Sequence, residues 1–165
     1  MVRTLVGLTS LILLLVLIGY AATGAPPDLS SSELNLTASP VREPNGTWRL
    51  KFDLSYSGEK SLVVPERSLP WGSHRDLLLV AIPLDAARTP LEGRSSPGPS
   101  LPTSPLTLDT GDSISGNVNV SSRFPGLAEA IQKTDVMVFW SYQPPAVEGQ
   151  VLPRLTGGVV LPRQS

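Results

Sequence analysis

The 165-residue chain contains no cysteine, which excludes disulfides, thiolate nucleophiles, thiolate metal sites and a thioether lipid anchor together. It has one histidine, His74, and two methionines, of which one is the initiator. Transition-metal sites usually draw on several His or Cys ligands, so no metal and no cofactor are expected. Ser-His-Asp catalysis would have to run through His74 in the segment Trp71-Gly72-Ser73-His74-Arg75-Asp76, where Ser73 and Asp76 read as ordinary loop residues. No Gly-x-Ser-x-Gly elbow and no Gly-rich phosphate loop opening a helix occurs. Charge is scarce as well, at 16% of residues with a net value of -1. Lysine and arginine are scattered, which argues against nucleic acid or an anionic membrane surface as a partner. The expectation is therefore a non-enzymatic protein.

What the chain does have is 41% hydrophobic residues, 17 Pro and 14 Gly. That composition supports a core but punctuates it with turns, favouring short strands over long helices. The first apolar stretch is separate. Arg3 precedes an almost unbroken hydrophobic run over 5–22, which ends in small residues, the pattern of an export signal. Residues 1–24 are read as a signal peptide or, if retained, as an N-terminal membrane anchor, the run being just long enough to span a bilayer of about 30 Å. Either way the remainder lies outside the cytoplasmic membrane, in the periplasm, secreted or held on its outer side. Residues 25–32 (APPDLSSS) read as a tether, and 33–165 as one domain.

Within that domain, period-two alternation marks strands. Leu34, Leu36 and Ala38 alternate with polar residues; Asn45-Gly46 signals a tight turn; and Trp48, Leu50, Phe52 and Leu54 face opposite to Arg49, Lys51 and Asp53. Residues 61–64 form a short strand stopped by Pro65. The uninterrupted apolar run 77–82 (LLLVAI) predicts a central strand covered on both faces. Residues 89–105 are rich in Pro, Gly and Ser and predict a mobile surface loop. Ile114, Gly116, Val118 and Val120 resume the alternation, and Leu127, Ala130 and Ile131 share one face of a short helix over 127–133. A second doubly covered strand is expected over 135–142, with Val136, Val138, Trp140 and Tyr142 opposite Met137 and Phe139. Gly157-Gly158-Val159-Val160-Leu161 supplies a last strand.

Seven to eight short strands with one helix predict a mainly β fold, a two-layer antiparallel sandwich. The helical connection before DVMVFWSY resembles the one preceding strand F of immunoglobulin-like domains. The exported part as a whole resembles small uncharacterised immunoglobulin-like proteins of bacterial envelopes. The paired cysteines of antibody domains are absent, so that resemblance implies a fold and no activity.

Several polar features have simpler readings than a site. Asp109 and Asp112 offer oxygens of a kind calcium prefers, but Asp-Thr-Gly-Asp lacks the EF-hand spacing and suits a turn. Glu92, Asp109, Glu129 and Asp135 read as loop, turn and helix-end solvation rather than a catalytic pair. Gly157-Gly158 reads as a bulge at a strand start. The sequons at Asn35, Asn45 and Asn119 matter only in a eukaryotic cell. Trp71, in a loop between Pro70 and Gly72, is either a plug over the end of the sandwich or, with His74, an interaction anchor for a protein partner.

The expected function is an exported immunoglobulin-like binding or structural module of the cell envelope, with an unidentified protein partner. Two alternatives differ in class: a hydrolase or enzyme accessory with a site near His74, and a single-pass tethered protein retaining 5–22. Terminal sequencing of the mature exported chain separates the last from the rest. A start near Ala25 marks cleavage after Gly24, and a blocked or intact Met1 marks the anchor.

Overall fold

The computed structural model describes residues 33–72, 76–94, 104–146 and 151–164. The leader 1–24, the tether 25–32, His74 and residues 95–103 of the expected loop lie outside the described residues. The described chain is mainly β, with three small antiparallel sheets and few helices. Its strands are β1 (Leu34–Arg42), β2 (Trp48–Tyr56), β3 (Leu62–Pro65), β4 (Leu77–Pro83), β5 (Pro105–Leu108), β6 (Ser113–Asn119), β7 (Val136–Tyr142) and β8 (Leu155–Leu161). Two short helices, α1 (Val120–Arg123) and α2 (Leu127–Lys133), connect β6 to β7.

Among the described residues the first sheet has the order β1-β2-β6, the second β4-β7-β8, and β3 pairs with β5 in a two-stranded sheet. β1 and β2 form a hairpin whose turn is set locally. Gly46 takes φ +84, which suits a residue without Cβ, and the Asn45 side chain accepts a hydrogen bond from the Thr47 amide at 2.9 Å. Pro40 is tolerated inside β1 because that strand lies at a sheet edge, where a missing N–H costs no ladder bond. Pro65 and Pro105 are accommodated in the same way, opposite each other in the two-stranded sheet.

Alternation then fills the interior. Trp48, Leu50, Phe52, Leu54 and Tyr56 of β2 and Val136, Val138, Trp140 and Tyr142 of β7 are all buried. They belong to one apolar cluster with Leu34, Leu77, Leu108, Val118 and Leu161. The middle strands of the two larger sheets meet where the Phe52 ring stands edge-on to Trp140, with centroids 5.6 Å apart and planes at 84°, the arrangement favoured by aromatic quadrupoles. Trp140 lies directly across Gly157, its partner on β8, where a Cβ would collide with the indole. Gly157 is thus a ladder residue whose missing side chain makes room for Trp140, rather than the expected bulge. α2 occupies the expected residues and buries Leu127, Ala130 and Ile131.

The structure corrects three expectations. Among the described residues β4 is an edge strand, paired only with β7, and its outward residue Leu78 is 63% exposed. Its unbroken apolar run does not mark a doubly covered strand. β7 is central in its sheet but covered on one face only, since Phe139 is 48% exposed. The alternation through Val120 stops one residue early: Asn119 caps α1 by accepting from the Ser122 amide at 2.9 Å, a common use of Asn that ends a strand and starts a helix.

Tyr142 closes one end of the core by donating its hydroxyl to the Ser68 carbonyl at 2.9 Å, in a buried bond spanning 74 positions. Burial and the nearby Asp76 carboxylate push its phenol well above the ordinary value of 10. A phenol held neutral in the fold contributes stability that is complete below its unfolded pKa of about 10 and is lost as pH rises toward the folded value. Tyr142→Phe is expected to cost about 1–3 kcal/mol at neutral pH by leaving the Ser68 carbonyl without a donor, and to flatten the alkaline fall in stability. Urea midpoints from pH 7 to 11 check both; parallel curves for the two proteins refute the assignment.

Candidate interaction face

Because side chains alternate along a strand, burying one row of each sheet fixes the composition of the other. On the first sheet the outward rows are Asn35, Thr37, Ser39 and Val41 of β1, Arg49, Lys51, Asp53 and Ser55 of β2, and Ser113, Ser115, Asn117 and Asn119 of β6, as the pairing register dictates. All but Val41 are polar. Lys51 and Asp53 form an ion pair along that face at 2.9 Å, and Arg49 binds Glu43 at 2.7 Å. This is an ordinary wet surface.

The second sheet is the opposite. Its outward rows are Leu78, Val80 and Ile82 of β4, Met137, Phe139 and Ser141 of β7, and Thr156, Gly158 and Val160 of β8. No charged side chain stands among them. Leu78, Phe139 and Val160 are 63%, 48% and 40% exposed, and Val80, Ile82 and Met137 are half-buried between them. Register aligns Val80, Phe139 and Gly158 in one row and Ile82, Met137 and Val160 in the next. At Gly158 an added Cβ would sit 3.4 Å from both the Phe139 ring and the Met137 sulfur, so these two side chains spread over the glycine and flatten the face. Leu84, next in alternation past β4, is 44% exposed and extends the patch. A contiguous uncharged patch carrying Phe and Met has the composition of an interface core.

The polar frame at one end is ordered across all three strands. The Gln143 amide donates to the Asp76 carbonyl at 2.9 Å, continuing the β4–β7 ladder, and Arg154 Nε donates to Gln143 Oε1 at 3.3 Å. Asp76, Gln143 and Arg154 thereby form the row just beyond Leu78, Ser141 and Thr156.

The other candidate residues are occupied locally. The Trp71 indole lies over Gly116 of β6, where a Cβ would collide with it, and packs against the core while remaining partly exposed. His74, its companion in the expected anchor, lies outside the described residues. Asp112 accepts from the Asp109 amide at 2.8 Å, and Asp109 accepts from the Ser61 hydroxyl at 2.5 Å; both carboxylates brace the turn that carries Gly111 at φ +90. Glu129 and Lys133 bind each other at 2.6 Å one helical turn apart, which lowers the carboxyl pKa and raises that of the amine. They line a cleft of about 250 Å³ with Pro83, Asp85 and Leu91. The Asp135 carboxylate accepts from the Arg163 amide at 2.6 Å. Glu92 is exposed. Among the described residues no three His, Asp or Glu gather as a metal would require. Of the loop expected over 89–105, Leu91 and Arg94 donate their amides to the Ala81 and Arg123 carbonyls at 2.8 and 2.7 Å.

Compared with models of known families, with curated proteins and with solved structures, the chain matches none.

Replacing Leu78, Phe139 and Val160 together by Ser removes exposed apolar area and no buried contact row. Stability is expected to change by no more than about 1.5 kcal/mol, the sum of three surface effects of about 0.5 each, while fluorescence of an environment-sensitive apolar dye on the folded chain falls sharply. Dye fluorescence equal to wild type would show the face to be covered.

Proposed function

We propose that the chain is a non-enzymatic exported module that works by burying the outer face of the β4-β7-β8 sheet against a protein of the cell envelope. One observation carries this reading: the two larger sheets share a core, yet the outside of one is polar throughout while the outside of the other is apolar and uncharged. Solvation alone would make the two faces alike, because outward positions bear no load in core packing and drift toward polar residues. A face kept apolar has a use for it.

The module is read as an immunoglobulin-like sandwich, and the strand order supports this. Taking β1, β2 and β6 as strands A, B and E, and β4, β7 and β8 as strands C, F and G, the two larger sheets follow the A-B-E and C-F-G orders of that fold. The helical passage from β6 to β7 then falls between E and F. β5 stands in the place of strand D but pairs with β3, a departure from the pattern. Export rests on the signal-like segment 1–24. The signal and the face together describe a domain delivered outside the cytoplasm to engage another protein there.

Photo-cross-linking side chains placed singly at Leu78, Phe139, Val160, Lys51 and Ser115 test the reading in the intact envelope. Protein adducts are expected from the first three and not from Lys51 or Ser115, on the polar face. Equal adducts from the two faces, or none from either, would remove the basis for the proposal.

A further inference from the structure

We infer that the partner seated on the apolar face is a second copy of this chain, the two sheets packing face to face about a two-fold axis parallel to β7. The inference rests on the binding reading above and names its occupant. It comes from the charges that frame the patch. Asp76 continues the outward row of β4, and Arg154 continues the outward row of β8, on opposite sides of Gln143 in one row. Two strand spacings separate them, about 10 Å, and neither has an ion-pair partner among the described residues. The frame is acidic beside β4 and basic beside β8.

Rotation by 180° about an axis along β7 lays β4 of one copy over β8 of the other and leaves each row opposite itself. Asp76 then faces Arg154 of the second copy, and Arg154 faces its Asp76, so two charges with no ion-pair partner among the described residues of one chain are paired twice in the dimer. An isologous contact requires this self-complementarity. The axial strand β7 meets its own copy, so Met137 and Phe139 fall at the centre, where an aromatic anchor contributes most. Strands kept nearly parallel across the interface match the aligned mode of sheet packing. A lipid surface would favour basic residues on both sides of the patch, and the acidic β4 side argues against it.

The face is small. Three strands of seven residues measure about 23 by 14 Å, which places the contact below the standard interface size and predicts a weak, exchanging dimer.

Sedimentation velocity of the exported chain from about 1 µM to about 1 mM, a span that brackets weak association, tests the inference. Wild type is expected to pass from monomer to dimer. Phe139→Asp should remain monomeric with an unchanged melting curve. Asp76→Arg and Arg154→Asp should each weaken the dimer roughly tenfold, since two exposed pairs turn repulsive, and the double exchange Asp76→Arg/Arg154→Asp should return it to within about threefold of wild type. High salt should shrink the differences between these variants. A wild-type chain monomeric throughout, a dimer that survives Phe139→Asp, or a double exchange that fails to recover overturns the inference. If the chain stays monomeric while the face still yields adducts to another protein, the self-association falls and the binding reading stands.

Discussion

The contact between Phe52 and Trp140 joins the middle strands of the two larger sheets, and the remaining order of the molecule depends on it. A chain without cysteine must hold two three-stranded sheets together chiefly by apolar packing, at a size where core area is just sufficient. Trp140 fills the gap by lying across Gly157 and meeting Phe52 edge-on. That geometry fixes the register of β7 against β8, since a one-residue slip would send Trp140 outward and bring Phe139 in.

Once the inner rows are fixed, the outer ones follow, and here the two sheets part. β2 reads as clean alternation because its outward Arg49, Lys51 and Asp53 meet water. β4 and β7 read as continuous apolar runs because Leu78, Val80, Phe139 and Met137 occupy the corresponding outward positions. The difference lies on the surface, in side chains that do not hold the core. Its thermodynamic weight therefore falls on association rather than folding, and a monomer bearing such a face in solution carries exposed apolar area that a partner removes.

Strand positions and the helix over 127–133 were legible in the sequence because period and turn chemistry are local: Asn45-Gly46, Pro65 and the Leu127, Ala130, Ile131 spacing each declare themselves. The interaction face was not. An apolar run signals that both faces of a strand avoid water without saying whether the second cover is the same chain or another, so LLLVAI suggested a central strand where an edge strand stands. Trp71 and His74 drew attention as rare residues, but rarity is a property of composition. The packing of Trp71 on Gly116 joins positions 45 residues apart in numbering, and neither residue alone announces it. The row of Asp76, Gln143 and Arg154 likewise exists only once the register of three strands is known.

Sheet domains associate either by adding a strand at an edge or by packing a face, and the edges here are poorly suited to the first. β4 takes a hydrogen bond from the Leu91 amide at Ala81 and ends in Pro83, which has no donor. β1 carries Pro40 in mid-strand, and β8 runs beside β1 rather than standing free. Edges blunted by proline and by neighbouring chain are the usual protection against uncontrolled strand addition. With those three edges blunted, the uncharged surface of β4, β7 and β8 becomes a place where this domain can exchange water for a partner. A face pairs with defined geometry only if its rim sets the orientation, and the acid beside one outer strand with the base beside the other does so.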